Sequence, residues 1–205
     1  VIESSERLLA RYSSVLRSRL SGLVFHDIRP LEEVNWAEFA LDQVFSVKSG
    51  TRLTGADKVS GSRPFIGATD NTNGVTGFVN NENNSMDSNV LGVNYNGAPC
   101  IAFFHPYQAM FSDDVKRLKL LHYEDNIFVL LFCKVIIMQQ RSKYSYGYKF
   151  NAGRMARQLL KFPVTDSGEI DYHYMECYVE NMLRRKYQQY SSYVARSRNY
   201  SITND

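Results

Sequence analysis

The side chains able to do acid–base, nucleophilic or metal chemistry are scattered through this chain. His26, His105, His122 and His173 lie far apart, with no paired spacing for a metal ion. Each is expected to be a structural or surface histidine. No Gly-rich phosphate loop ends in Gly-Lys-Ser/Thr, and neither HExxH nor GxSxG occurs. Asp114-Val115-Lys116 is half of an Asp/Glu-x-Lys pair, which would set a metal-binding carboxylate beside a lysine base. Three residues match often by chance. The start of a helical turn, with acids at the positive end of its dipole, explains them better. The Asn/Asp-Pro-Pro-aromatic tetrad with which amino-methyltransferases hold a flipped base is missing as well. Cys100, Cys133 and Cys177 are odd in number, widely spaced and in apolar company, and read as buried thiols in a reducing compartment.

Side chains suited to recognition are better organised. Between Gly61 and Asn84, Pro64-Phe65-Ile66 starts one expected strand and Val75-Thr76-Gly77-Phe78-Val79 makes the next. Their connector, Thr69-Asp70-Asn71-Thr72-Asn73-Gly74, is almost wholly short and polar, with Asn-Gly as a hairpin signal. It holds more groups that both donate and accept hydrogen bonds than a turn requires. That suits a recognition loop held out from a rigid sheet. A second region is electrostatic. From Lys134 to Lys161 the chain carries Lys134, Arg141, Lys143, Lys149, Arg154, Arg157 and Lys161 and no Asp or Glu. The same window contains Tyr144-Ser145-Tyr146-Gly147-Tyr148-Lys149-Phe150. Lysine and arginine neutralise phosphates, and tyrosines pack on sugars or bases. Lys48, Arg52, Arg63, Thr69, Asn71, Asn73, Arg141, Lys143, Tyr144, Tyr146, Lys149 and Arg154 are the expected DNA contacts. Asn71 and Asn73 suit adenine, and Arg52 or Arg63 suits guanine.

The rest of the chain must position these groups. Its 205 residues suffice for one substantial core, and 44% hydrophobic with 22% charged residues is the composition of a soluble globular protein. A net charge of +3 does not itself argue for nucleic acid. No secretory signal is visible and the most apolar run, Ile127 to Met138, is about half of what spans a bilayer, so no membrane partner and a cytoplasmic location are expected. Leu8, Leu9, Tyr12, Val15, Leu16 and Leu20 give Glu3 to Leu20 a helical period. Short strands are expected at Asn89–Tyr95, Cys100–Phe104, Gln108–Phe111 and Leu118–Leu121, with Ser112-Asp113-Asp114 capping a helical turn before the last. Ile127 to Met138 reads as a buried helix capped by Asp125 or Asn126, and Asn151 to Leu160 as a short one. Phe162-Pro163-Val164 reads as a strand, and Asp171 caps a long final helix. The fold class is mixed α+β within the α/β group: a twisted, largely antiparallel sheet with flanking helices and a long C-terminal helix.

At this point the chain resembles a family. Trp36…Leu41…Val44-Phe45…Val47…Gly50, then Gly61…Pro64-Phe65-Ile66…Thr69…Asn73-Gly74-Val75, is similar to the opening of a target-recognition domain from restriction-modification specificity subunits. Gly97…Ala102-Phe103-Phe104, the segment Tyr144 to Asn151, and Phe162-Pro163-Val164…Gly168…Asp171…Met175-Glu176 continue the likeness to about Tyr187. The variant most similar belongs to combined restriction-methylation enzymes and type I-like systems. The resemblance implies a non-catalytic subunit or domain that reads double-stranded DNA and directs a methyltransferase and a restriction endonuclease. S-adenosylmethionine, Mg2+ and ATP would then belong to those partner subunits, and no cofactor to this chain. It implies an N-terminal helix and connector at 1–35, a recognition domain at 36–170, and a spacer or dimerisation helix with its tail at 171–205. Family subunits commonly hold two such domains in tandem, whereas this chain has one. That suits either half of a homodimer made through the terminal helices or part of a longer polypeptide. Two other classes stay open: a metal-dependent nuclease or DNA-modifying domain with an unrecognised active site, and a β-rich carbohydrate- or protein-binding module.

Overall fold

A computed structural model describes residues 20–144 and 148–202, with side chains of the final helix described through residue 194. The helix expected over Glu3 to Leu20 falls outside these residues except for Leu20, which is helical. The chain divides into two compact units, Leu31–Tyr172 and the combination of Val1–Pro30 with His173–Asp205.

The unit Leu31–Tyr172 is built from three small sheets. Strand β1 (Trp36–Ala40) pairs antiparallel with β10 (Leu159–Pro163), closing a two-stranded ribbon from residues far apart in sequence. Between β1 and β2 (Phe45–Ser49), Leu41–Val44 forms the single turn of helix α1, where Gln43 Oε1 accepts from the Ala40 N–H at 2.9 Å. Strand β2 is the edge of a four-stranded antiparallel sheet ordered β2, β9 (Val115–Leu120), β6 (Val90–Asn94), β7 (Ala102–His105). The other sheet is ordered β4 (Val75–Val79), β3 (Ser60–Ile66), β8 (Ala109–Phe111), β5 (Met86–Asp87). Among the described residues only β3 and β8 run parallel.

Period-two alternation explains how the two larger sheets meet. Ile66, Ala109 and Phe111 point one way and pack with Val90 and Val115 of the other sheet; Phe65, Val79 and Met110 point the opposite way and are covered by Leu53 and Met86. Helix α2 (Ile127–Met138) lies against β7, β6 and β10. It buries Val129, Leu130, Phe132, Cys133, Ile136 and Ile137. Asn126 caps it by accepting from the Val129 N–H at 2.9 Å. Helix α3 (Ala152–Ala156) is capped in the same way by Asn151.

The helical turn expected at Ser112-Asp113-Asp114 is instead a tight turn into β9, with the Val115 N–H bonded to Ser112 O at 3.2 Å. Sequence pattern missed this because β9 is central and carries buried cations. Arg117, only 5% exposed, donates to Ser49 O and Asn84 O and meets Asp87 Oδ2 at 3.4 Å. Those partners lie tens of residues away, and a strand alone brings them within reach.

The second unit is organised by helix α4 (Tyr172–Ile202), which starts directly after Asp171. Residues 23–30 are fastened along it. Val24 and His26 donate backbone N–H groups to Glu180 Oε1 and Asn181 Oδ1; Asn181 Nδ2 returns a bond to His26 O, and His26 Nε2 meets Glu180 Oε2 at 2.8 Å. No described helix is long and apolar enough to cross a membrane.

Candidate nucleic-acid interface

The loop between β3 and β4 is fixed by backbone before its side chains are considered. A bulge sits where Ser60 and Arg63 both pair with Val79, and a Cβ on Gly61 would lie 2.5 Å from Asn80 N. At the other end, Gly67 N–H bonds Gly74 O at 3.0 Å and Gly74 N–H bonds Asn71 O at 2.9 Å. Thr72, Asn73 and Gly74 are all left-handed, with φ of 48°, 52° and 77°. A side chain at position 74 would also press on Ile66 and Phe103, at 3.2 and 3.3 Å. Left-handed L-residues cost roughly 1–2 kcal/mol each, so hydrogen bonds must hold this turn.

They do so from within and from a neighbouring hairpin. Asn71 Oδ1 accepts from the Thr69 and Thr72 hydroxyls at 3.1 and 3.2 Å. Asn94 Nδ2 donates to Thr69 O at 2.9 Å, and Asn73 Nδ2 donates to the Tyr107 hydroxyl at 3.1 Å. Asn71 and Asn73 are nevertheless exposed. Each amide already has one end engaged, so two-pronged contact with a base requires an exchange of partners.

The basic arm has a different construction. Tyr144 is a support: its hydroxyl donates to Gln158 Oε1 at 2.7 Å and its ring packs on Phe150 and Tyr148. Burial raises its pKa, helped by Cys100 and Tyr148 and opposed by Arg154. Tyr148, 51% exposed, carries the Arg154 guanidinium 3.8 Å above its ring. Arg154 also donates to Lys149 O at 2.8 Å. Arg141, Lys143 and Lys149 are exposed. Tyr146 lies outside the described residues.

Loop and arm meet at the β6–β7 hairpin. Asn94, Phe103 and His105 touch the recognition loop. Arg141 and Lys143 lie close enough to Cys100, in the β6–β7 connection, to pull its thiol pKa down, although burial dominates and pushes it up to about 12. Lys134 stands 5.2 Å above the Phe103 ring. It also adds to the burial that lowers His105 to about 4. Arg52, exposed, lines a cleft of about 570 Å3 with Tyr95 and Asn96 of the same hairpin, Gly67 and Ala68 before the loop, and Ser112, Asp113 and Asp114. Arg63 is arranged otherwise: its guanidinium is tied to Asn81 O and Glu82. Lys48 is exposed on the edge strand β2, opposite Arg117.

Asp114-Val115-Lys116 is no catalytic pair here. The Asp114 carboxylate accepts from Asn96 Nδ2 at 3.0 Å, and Lys116 Nζ sits 4.2 Å above the Tyr95 ring and donates to Ser49 Oγ. Burial lowers the Lys116 pKa, with Asp113 and Asp114 opposing. No metal-binding cluster occurs among the described residues. The sequence reading overlooked Asn94, Tyr107 and Tyr148 as parts of the site. Tyr148 stood within the quoted aromatic run, whereas nothing local marks Asn94 or Tyr107.

Comparisons with known proteins show the family and the fold. Residues 33–189 match the family model of the type I restriction modification DNA specificity domain. The type II restriction enzyme BgcI specificity subunit S.BcgI of Heyndrickxia coagulans is 54% identical over 156 residues, 76% of this chain and 46% of that protein. The S subunit of a type I restriction-modification system from M. genitalium superposes with a TM-score of 0.55 at 17% identity, covering 98% of this chain and 53% of that one. The HsdS subunit from Thermoanaerobacter tengcongensis gives 0.53 at 12%, covering 93% and 48%. The chain thus spans about half the length of the relatives it matches. By the family match over residues 33–189, the chain belongs to the type I restriction-modification DNA specificity domains.

Proposed function

We propose that this chain reads one part of a double-stranded DNA target and thereby directs a methyltransferase and a restriction endonuclease, with no chemistry of its own. The observation that carries the reading is the β6–β7 hairpin, which holds a stiff polar loop on one side and an acid-free basic arm on the other. Arg141, Lys143 and Lys149 supply affinity that any sequence receives. Thr69, Asn71, Asn73 and Arg52 read base edges. Lys48 lies on the edge strand β2, and the Arg63 guanidinium is already engaged within its own hairpin. The helix α4 and the segment fastened to it join this domain to a partner subunit or a second copy.

A competition binding assay tests the reading. One short duplex selected from a random pool is expected to displace the labelled probe at far lower concentration than random duplex, and Lys143→Ala to weaken both alike. Equal displacement by all duplexes would refute it. Light scattering with and without the methyltransferase subunit assigns the role of α4, and a monomer that ignores that subunit would remove it.

A further inference from the structure

The cleft beside the recognition loop holds groups that the basic surface does not explain. Its walls bring an exposed arginine, Arg52, to the same opening as two carboxylates, Asp113 and Asp114. Carboxylates beside a phosphate-binding surface repel DNA unless they meet a positive or donating group. Asp114 has an internal reason to be there, since Asn96 donates to it and the raised pKa of Tyr95, set first by burial, also registers its charge. Asp113 is engaged by charge alone: Lys116 takes its backbone carbonyl at 3.3 Å and, like Tyr95, registers its negative charge, but no hydrogen bond to its carboxylate occurs among the described residues. At the same cleft Ser112, 8% exposed, has a buried hydroxyl with no hydrogen-bond partner. The cleft is continuous with the loop, because Gly97 closes on Ala68 and Asn94 holds Thr69.

We propose that this cleft reads one guanine·cytosine pair from the major groove, Arg52 donating to guanine N7 and O6 and Asp113 accepting from the cytosine N4 amino group. The inference rests on the DNA-reading function proposed above. A G·C pair presents two acceptors followed by a donor on its major-groove edge, which a guanidinium and a carboxylate side by side complement. A·T presents acceptor, donor, acceptor in place of acceptor, acceptor, donor, so the guanidinium keeps only one of its two hydrogen bonds there.

Selection of bound duplexes from a random pool tests this with the unaltered chain, Asp113→Asn and Arg52→Ala. The unaltered chain is expected to return a motif containing G·C. Both variants are expected to lose about tenfold of the preference at that same pair and at no other. A 7-deazaguanine at that position should weaken the unaltered chain and add little to the defect of Arg52→Ala. An unchanged motif for Asp113→Asn, or relaxation of two different pairs, overturns the inference while leaving DNA reading intact. A random output from the unaltered chain overturns DNA reading itself. The unaffected motif positions report that each variant is folded.

Discussion

At the scale of single residues, the groups that face outward are supported by groups that do not. Tyr107 receives the Asn73 amide, so Tyr107→Phe keeps the ring and removes the anchor. It is expected to reduce discrimination between target and random duplex several-fold, about 1 kcal/mol, with little effect on the urea midpoint; competition binding and unfolding curves check the two halves. His105 makes a prediction about acid. It is fully buried, its Nε2 is unpaired, and its pKa falls from 6.5 to about 4, first by burial and then by Lys134. The unfolded chain therefore takes up a proton that the folded chain refuses. Stability from this group is present above pH 6.5 and lost as pH falls from there toward 4. The loss is on the order of 1–3 kcal/mol, read as a falling urea midpoint between pH 7 and 4.5 that His105→Gln flattens.

At the scale of elements, much was legible where a local pattern decides the outcome. Helix α2 showed in a twelve-residue run, apolar but for Lys134, behind an Asn cap, and the flanks of the recognition loop showed in their alternation. Elements that depend on distant partners were hidden. Nothing local tells that Trp36–Ala40 pairs with Leu159–Pro163, or that β9 begins at Val115 because Lys116 and Arg117 find acceptors in distant segments. The site follows the same division: the polar loop and basic arm stand out by composition, whereas the hairpin joining them does so only in three dimensions. A glycine pair tests how tightly elements abut. A Cβ at Gly50 would fall 2.1 Å from Ser112 O and 2.4 Å from Phe111 O, while one at Gly55 meets nothing within 4 Å. Gly50→Ala should cost upwards of about 2 kcal/mol in unfolding free energy and Gly55→Ala less than about 0.5.

At the scale of the whole molecule, net charge is small but its placement is not. Arg141, Lys143, Lys149 and Arg154 give four cations for phosphate, so a plot of log affinity against log salt is expected to slope at about −3.6 when all engage. A slope near zero would mean that the arm does not touch the backbone. Removing Lys143 should lower the slope by about one unit and leave sequence preference in place. The three successive left-handed residues of the loop have a consequence of another kind. Over Thr72, Asn73 and Gly74 the backbone follows the course natural to a D-peptide, so this stretch is locally of inverted chirality within an L-chain. A chain assembled by chemical ligation with the D-enantiomer of threonine at position 72 should relieve roughly 1–2 kcal/mol of strain there. It should melt at a higher temperature than its all-L counterpart, because the mirror-image residue prefers the course that this turn already takes.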